Sequence, residues 1–577
     1  MTTIGAQRIR GVPAAPGVAH GPYVRFERTP LVQDGRAGDA EGEMARLKAA
    51  AEAIARSREQ VAEELRRSGH ENEARIFEAQ AEMARDPGLL DDAIARIASS
   101  GATASSAIGA AAAAVADRLR RLDDATLAAR ATDVLDVGDR IARQAAGLPP
   151  TTIELLAPSI IVAEDLPPSL TATLPRDRLL AIVLEGSSPT AHAAILARAY
   201  GIPAVVGASS LRAALDAAGR NVLLAVDGTT GEVIVSPTAD TIAQIDAHGR
   251  DVARDRAVEL AGAALPAETL DGTIVQLLAN IGSPRDGRPS RALGARGVGL
   301  FRTEFLFLER RTAPSEDEQA DAYGEVAAMF APDPVTVRLL DVGGDKPISY
   351  VPLPREDNPF LGQRALRLAG SHRELFVAQL RACYRAATRG RVKVMAPMVA
   401  DAADARLFLD LAHDARMSLA PAERGDVELG VMLEIPSAVL SADTYFGGLA
   451  FASLGTNDLL QYTLAADRGN AALERYRDAL HPAQLALIRM AVEAARRHDI
   501  ELSVCGEMAG DPASALALVG LGVRSLSMIA GLMPAVKRAV RASAVTDLER
   551  EARAALSDAS AELVRARFDR LLASGPR

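Results

Sequence analysis

The segment Val335-Thr-Val-Arg-Leu-Leu-Asp-Val-Gly-Gly-Asp-Lys346 joins a β-rich apolar run to charged residues that follow it across a Gly-Gly turn. Valine and threonine favour a pleated strand, and glycines permit a sharp turn after it. Similar short runs lie before and after this one, and helical patterns separate nearly all of them. The eight predicted strands are Val275–Ala279, Gly297–Leu300, Val335–Leu340, Val392–Ala396, Leu429–Leu433, Phe451–Leu454, Leu502–Val504 and Ser525–Met528. Eight strands with intervening helices predict a C-terminal (β/α)8 barrel of the TIM type.

Polar or reactive residues follow many of these strands directly. The C-terminal ends of barrel strands meet at one rim, where (β/α)8 enzymes carry their reaction site. The sequence therefore predicts one site at this rim, formed by Arg302, Asp341 to Lys346, Glu434, Asn457 with Asp458, and Cys505 with Glu507.

The first half of the chain has a different pattern. Ala, Arg, Glu and Leu at helical spacing dominate residues 39–147, which predicts an antiparallel helical bundle. Short β-rich runs follow, and the non-helical opening segment suits the same α/β domain, so the bundle is expected to be an insertion. The predicted domains are 1–32 with 148–238 (α/β), 33–147 (helical subdomain), 239–263 (helical linker) and 264–577 (barrel).

The composition favours a globular cytoplasmic protein. Apolar residues make up 49% of the 577 residues, and 75 acidic against 65 basic residues give a net charge of -10. This charge argues against a nucleic-acid partner or a membrane surface. The two cysteines, Cys383 and Cys505, are too few for a disulfide framework, and the chain has no secretory signal or membrane-spanning run. We therefore expect no membrane insertion.

His192 stands near the start of a predicted helix, in Gly186-Ser-Ser-Pro-Thr-Ala-His-Ala-Ala-Ile-Leu-Ala-Arg198. Ser188 is a suitable N-cap, and Pro189 suits the first helical position. A phosphoryl group on the imidazole would lie near free backbone N–H groups and the positive end of the helix dipole. A neutral imidazole is also a competent nucleophile. The segment alone leaves a surface or capping histidine as the alternative.

This segment and the residues that follow it, 199–207, resemble the phosphohistidine signature of three families. They are enzyme I of the bacterial sugar phosphotransferase system, the pyruvate-phosphate dikinases and the phosphoenolpyruvate synthases. The resemblance implies that His192 is the phosphorylated residue and that Thr171 supports it. Arg198 is a further supporting candidate, with a solvated helix face as its alternative. Ser187-Ser188 stands where the family usually has Gly-Gly.

The barrel half is similar to the phosphoenolpyruvate and magnesium signatures of enzyme I. A phosphate and a carboxylate need cationic forks, and a hard divalent ion needs oxygen ligands. The resemblance implies that Mg²⁺ is the cofactor, with Glu434 and Asp458 as its ligands. Cys505 is the implied proton donor to the enolate, with a buried apolar filler as its alternative. The residues implied to hold phosphoenolpyruvate are Arg302, Arg338, Asn457, Asp458 and Arg468, supported by Lys346 and Arg364.

The resemblance covers essentially the whole chain and implies a phosphoenolpyruvate-protein phosphotransferase. Phosphate would pass from phosphoenolpyruvate to His192, with release of pyruvate. It would then pass to the carrier HPr, docked on the helical subdomain, for sugar uptake. The family also implies a homodimer formed through the barrels. The alternatives are a nitrogen-branch enzyme I, a dikinase or phosphoenolpyruvate synthase relative, and a non-catalytic regulatory protein.

Overall fold

A computed structural model describes most of the chain. The described residues are 6–27, 39–67, 71–121, 125–149, 151–171, 174–186, 192–219, 222–308, 310, 312–344, 348, 350–351, 353, 356–468 and 470–574. They form two compact units, Met1–Arg254 and Asp255–Arg577. Within these ranges, every helix is too short or too polar to cross a membrane.

The first unit contains an eight-stranded mixed sheet. Its strand order is β1-β8-β7-β3-β4-β5-β6-β2. The opening strands pair with later ones, since β3 lies parallel to β4 and antiparallel to β7. The opening segment therefore contributes strands to the same sheet as residues 159–235. The strands are β1 Gln7–Arg10, β2 Val12–Ala15, β3 Val18–Phe26, β4 Ser159–Ala163, β5 Leu179–Leu184, β6 Ala204–Val206, β7 Leu223–Asp227 and β8 Glu232–Val235.

Among the described residues, five helices lie between β3 and β4, which confirms that the bundle is an insertion. Their facing sides are rich in buried alanine and allow close contact. A Cβ added at Gly138 would lie 2.3 Å from the Cβ of Ala112. Asp86 caps the third helix, with Pro87 at its first position, and Gly101 ends it in the left-handed conformation. The helices are α1 Ala40–Arg67, α2 Glu71–Ala84, α3 Pro87–Ser100, α4 Ala104–Arg120 and α5 Ala125–Ala146.

The other helices of the α/β domain are α6 Pro168–Thr171, α7 His192–Tyr200 and α8 Leu211–Ala218. Helix α9, Ala239–Ala261, follows the last strand of the sheet. It has no buried residue within the described part of the chain. The predicted helical linker coincides with this helix, and the domain boundaries themselves stay predictions.

The second unit is a closed barrel of eight parallel strands, in the order β10-β11-β12-β13-β14-β15-β16-β9. The predicted (β/α)8 barrel is confirmed, and the observed strand ends differ from the predicted ones by at most two residues. The strands are β9 Gln276–Ile281, β10 Val298–Arg302, β11 Val335–Arg338, β12 Val392–Ala396, β13 Val427–Leu433, β14 Phe451–Leu454, β15 Glu501–Val504 and β16 Ser525–Met528.

Helices surround the barrel and bury a single large apolar core against it. Several begin at strong caps, among them the capping box of Ser315 and Glu318. Only Gly455 separates β14 from the next helix, so Asn457 and Asp458 lie in that helix's first turn. The helices are α10 Gly287–Ala292, α11 Glu304–Phe307, α12 Glu316–Phe330, α13 Arg373–Ala386, α14 Ala402–Met417, α15 Pro436–Leu440, α16 Thr456–Leu464, α17 Pro482–His498, α18 Pro512–Gly520, α19 Met533–Arg541, α20 Val545–Ala555 and α21 Ala561–Ser574.

Candidate active site

A cavity of about 690 Å³ opens where the barrel strands end. It brings together eight residues to which the sequence assigned individual roles, together with Asp341 and Glu507 of the predicted rim, from different strands, loops and one helix. This position is the one in which (β/α)8 enzymes carry their active sites. The eight residues are Arg302, Arg338, Arg364, Glu434, Asn457, Asp458, Arg468 and Cys505.

Asp341 lies between the two buried arginines of this cavity. Its carboxylate accepts hydrogen bonds from Nε and Nη2 of Arg364 at 2.8 and 2.9 Å. Its Oδ2 also lies 3.1 Å from Nη1 of Arg338. Because Asp341 holds both guanidinium groups, it fixes their planes relative to each other.

Arg338 is supported from the barrel wall as well. It donates to the buried carboxylate of Glu304, two residues beyond Arg302. Its carbonyl accepts a hydrogen bond of 2.8 Å from Thr303, whose hydroxyl in turn accepts one of 3.0 Å from Gln379. These contacts restrict both the side chain and the backbone of Arg338 to one orientation.

Glu434 and Asp458 form the acidic side of the cavity. Both are buried, and Asp458 Oδ2 accepts a hydrogen bond of 3.0 Å from Arg364. Glu434 Oε1 accepts one of 2.6 Å from the backbone N–H of Met398, a residue with a left-handed φ of 58°. Burial, reinforced by the charges of Asp458 and Asp341, raises the pKa of Glu434 to about 8.

The charges of this cavity suit a divalent cation. Among the described buried residues that line it, four carboxyl groups face two arginines, which gives an excess of two negative charges once Glu434 is ionised. Asp458 Oδ1 accepts no hydrogen bond from any described residue. The described residues include no cluster of three or more metal-ligating side chains. Two carboxylates with open positions fit Mg²⁺, which keeps several waters and binds substrate oxygens.

Asn457 and Arg468 add hydrogen-bond donors to the cavity beside the two buried arginines. Asn457 Oδ1 accepts a hydrogen bond of 3.0 Å from the backbone N–H of Glu507, which leaves its two Nδ2–H donors for a bound anion. The Arg468 N–H donates to Gln461 Oε1 at 3.0 Å. The Arg468 guanidinium is 3.7 Å from Asp458.

Cys505 follows β15 and faces the cavity. Its backbone N–H donates to Leu454 O at 3.0 Å, and its Sγ is 3.6 Å from the same oxygen. Burial raises the pKa of the thiol, although a hydrogen bond with Ser453 and the charge of Arg338 oppose that shift. The thiol is therefore protonated near neutral pH, as a proton donor must be.

The remaining nominated residues belong to the α/β domain or lie outside the described part of the chain. His192 is the first residue of α7, and its side chain lies outside the described part, as do Ser188, Pro189 and Lys346. Thr171 Oγ1 donates to Pro167 O at 3.0 Å. Arg198 donates to Ala14 O from Nε and Nη2, at 3.0 and 2.7 Å. The predicted roles of these residues stay predictions.

Sequence reasoning missed several groups that support this site. Glu304 lies two residues beyond β10, and that position was a usable signal. Asp341 was predicted at the rim, but its pairing with Arg338 and Arg364 was not. Gln379 and Gln461 lie on helices α13 and α16. A glutamine in a helical pattern does not reveal in the sequence that its side chain is hydrogen-bonded to a residue of the site.

Three family models match the chain. A model described as PEP-utilising enzyme, N-terminal, covers residues 10–130. The corresponding mobile domain covers 156–231, and the PEP-binding domain covers 257–545. The barrel therefore corresponds to the PEP-binding domain of phosphoenolpyruvate-utilising enzymes.

Comparison with curated relatives shows which phosphoenolpyruvate-utilising enzymes the chain is similar to. The chain is 42% identical over 571 residues to the phosphoenolpyruvate-protein phosphotransferase of Streptomyces coelicolor, covering 96% of this chain and 98% of that protein. It is 37% identical to the enzyme of the same name from Bacillus subtilis, covering 92% and 93%. The multiphosphoryl transfer protein of Rhodobacter capsulatus is 38% identical, covering 98% of this chain and 68% of that protein. The chain belongs to the phosphoenolpyruvate-protein phosphotransferase family.

Proposed function

We propose that this chain takes the phosphoryl group of phosphoenolpyruvate onto His192, releases pyruvate, and passes the phosphoryl group to HPr. The observation that carries this proposal is the barrel-end cavity, where arginines face paired carboxylates beside a buried thiol. The family membership supports the same reaction. Sugar uptake through HPr is the role that the resemblance implies.

The arginines provide the substrate-binding charges. Arg338 and Arg364 are held in place by Asp341, while Arg302 and Arg468 line the cavity beside them. Guanidinium groups that are already oriented bind phosphate and carboxylate oxygens with little reorganisation. We assign Arg302, Arg338, Asn457 and Arg468 to phosphoenolpyruvate, with Arg364 and Lys346 in support.

Glu434 and Asp458 are the residues that would hold Mg²⁺. Such an ion supplies positive charge that stabilises the phosphoryl oxygens during transfer. Glu434 must lose its proton before it can bind a cation, because its pKa is about 8 without one. Asp458 is also held by Arg364, so its orientation is fixed in advance.

Cys505 is assigned to the proton that completes pyruvate. When the phosphoryl group leaves, the enolate of pyruvate must gain a proton at carbon. The thiol is buried, lines the cavity and has a raised pKa, so it holds a proton to give. The resulting thiolate would lie near Arg338 and Arg302, whose charges favour it.

The α/β domain is assigned the carrier role. His192 is the first described residue of α7, and the sequence predicts it near a helix start, where free N–H groups favour a phosphoryl group. We assign Thr171 and Arg198 as supporting residues and the helical bundle as the surface for HPr. A cytoplasmic location, proposed from the cysteine content, agrees with this assignment.

A pyruvate burst tests the proposed function. The full chain, given Mg²⁺ and phosphoenolpyruvate but no HPr, should release about one pyruvate per chain and then stop, because a covalent carrier fills once. Added HPr should restart release. Continuous release without HPr, or no release with it, would contradict the proposal.

A further inference from the structure

The carbonyl of Cys505 has a side-chain partner from a distant strand. Cys505 lies just beyond β15, and its oxygen accepts a hydrogen bond of 3.0 Å from Nδ2 of Asn280. Asn280 belongs to β9, and β16 lies between β9 and β15 in the barrel. The Asn280 side chain therefore reaches past β16 and holds the chain where it leaves β15.

Ser527 fixes the orientation of that amide. A backbone oxygen can only accept, so Nδ2 of Asn280 must face Cys505 and Oδ1 must face away. Oδ1 accepts a hydrogen bond of 2.6 Å from the Ser527 hydroxyl, which is fully buried on β16. Strand β10, on the other side of β9, makes room for this hydroxyl, because a Cβ at Gly299 would lie 2.5 Å from Ser527 Oγ.

The turn held in this way carries more than the thiol. Its next residue, Gly506, packs against Thr456, since a Cβ there would lie 1.9 Å from Thr456 Oγ1. The residue after that, Glu507, donates its N–H to Asn457 Oδ1. One short turn thus connects the proton donor with the amide assigned to the substrate.

We propose that Asn280 and Ser527 are positioning residues that hold the turn at residues 505–507, and with it the thiol of Cys505, against the substrate. This inference rests on the proposed function, in which Cys505 protonates the enolate. A proton donor must lie within hydrogen-bonding reach of the carbon it protonates, and a displacement of about 1 Å can slow a reaction about a hundredfold. Neither side chain needs to touch substrate to have this effect.

Asn280→Asp is the sharpest variant for the test. It keeps an acceptor for Ser527 but replaces the N–H donor with an oxygen that repels the carbonyl of Cys505. Asn280→Ala removes the donor without adding charge, so an effect common to both variants reports the lost hydrogen bond. Ser527→Ala removes the group that orients the amide. Ser525→Ala is the matched control, because Ser525 lies on the same strand and its buried Oγ has no hydrogen-bond partner among the described residues.

Two measurements follow each variant. Pyruvate formation with Mg²⁺, phosphoenolpyruvate and HPr gives kcat and KM. Alkylation of each cysteine by iodoacetamide, measured by mass spectrometry, gives the exposure of Cys505 relative to Cys383. We expect both Asn280 variants to lower kcat at least tenfold, to leave KM within about threefold, and to speed alkylation of Cys505 about tenfold. Cys383, buried on α13, should react as in the wild type. Ser527→Ala should act in the same direction with a smaller effect, and Ser525→Ala should match the wild type.

The outcomes separate this inference from the function on which it rests. If Cys505→Ala turns over like the wild type, the proton-donor role fails and the positioning role fails with it. If Cys505→Ala is slow but the Asn280 and Ser527 variants match the wild type in kcat and alkylation, only the positioning role is overturned. If an Asn280 variant speeds the alkylation of both cysteines alike, the variant has unfolded generally, and the serine variants decide. The proposal is then overturned if Ser527→Ala and Ser525→Ala have the same kcat and the same alkylation rate of Cys505.

Discussion

The two cysteines are both buried, but only Cys505 lines the active-site cavity. Burial raises the pKa of Cys505 above the ordinary value of 9. A raised thiol pKa keeps the group protonated at neutral pH, and the reactive thiolate forms only as pH rises beyond that range.

We therefore expect slow alkylation of Cys505 between pH 7 and 8 and a steep rise above pH 9. Site-specific mass spectrometry over a pH series measures this. Phosphoenolpyruvate with Mg²⁺ should protect Cys505 and leave Cys383 unaffected. A rate that is already maximal at pH 7 would show a lowered pKa and would contradict the assignment of an acid.

Asp341 is the residue on which the cationic side of the cavity depends. It accepts from Arg364 and lies within ion-pair distance of Arg338, and all three are buried. Removing one partner of a buried ion pair leaves a charge without compensation in a medium that solvates it poorly.

Asp341→Asn should destabilise the barrel by about 3 to 5 kcal/mol and raise KM for phosphoenolpyruvate. Urea unfolding of the full chain, followed at the barrel transition, measures the first effect, and pyruvate formation measures the second. Asp321→Asn is the control, because Asp321 pairs with Arg389 at the surface and should cost less than about 1 kcal/mol. Equal costs for the two variants would show that Asp341 is not part of a compensated network.

At the scale of elements, the site depends on how closely β15 approaches α16. Gly506 follows β15, and a Cβ there would lie 1.9 Å from Thr456 Oγ1 and 2.8 Å from Thr456 N. Thr456 begins the helix whose first turn carries Asn457 and Asp458. A side chain at Gly506 would therefore push apart the two elements that bear the thiol and the acidic side.

Gly506→Ala should lower kcat/KM for phosphoenolpyruvate at least tenfold while the fold remains, because the backbone must move by a sizeable fraction of an ångström. Steady-state kinetics with circular dichroism measures both properties. Gly370→Ala is the matched control, since a Cβ there meets no atom within 4 Å. Normal kinetics in Gly506→Ala would mean that the turn tolerates displacement.

The elements of the barrel could be predicted because buried parallel strands are short, apolar and rich in β-branched residues. Segments such as Val392–Ala396 and Phe451–Leu454 match the observed strands at both ends. The arginines and carboxylates of the rim could be predicted too, because strand ends in a barrel converge. Their positions just after predicted strands were enough to predict that Arg302, Glu434 and Asp458 lie in one cavity.

The contacts that hold those groups could not be predicted in the same way. Asp341 and Glu304 were visible as charges, but their pairing with Arg364 and Arg338 depends on side-chain direction. The bond from Asn280 to Cys505 joins residues 225 positions apart. No periodicity encodes such a pair, because the closed barrel alone brings β9 beside β16.

At the scale of the whole molecule, the homodimer formed through the barrels stays a prediction from the sequence resemblance. Sedimentation of the full chain, with and without Mg²⁺ and phosphoenolpyruvate, should give a dimer whose share rises with ligand, because a ligand that binds one state better shifts the equilibrium toward it. A monomer at every concentration, with full activity, would contradict the proposed assembly.

The central claim is that His192 carries the phosphoryl group. It is tested most directly by incubating the full chain with Mg²⁺ and phosphoenolpyruvate labelled in the phosphoryl group. The wild type and His248→Ala, altered at an exposed histidine of α9, should yield an acid-labile, base-stable phosphoprotein, as expected for phosphohistidine. His192→Ala should take up no label, and full label in that variant would contradict the account.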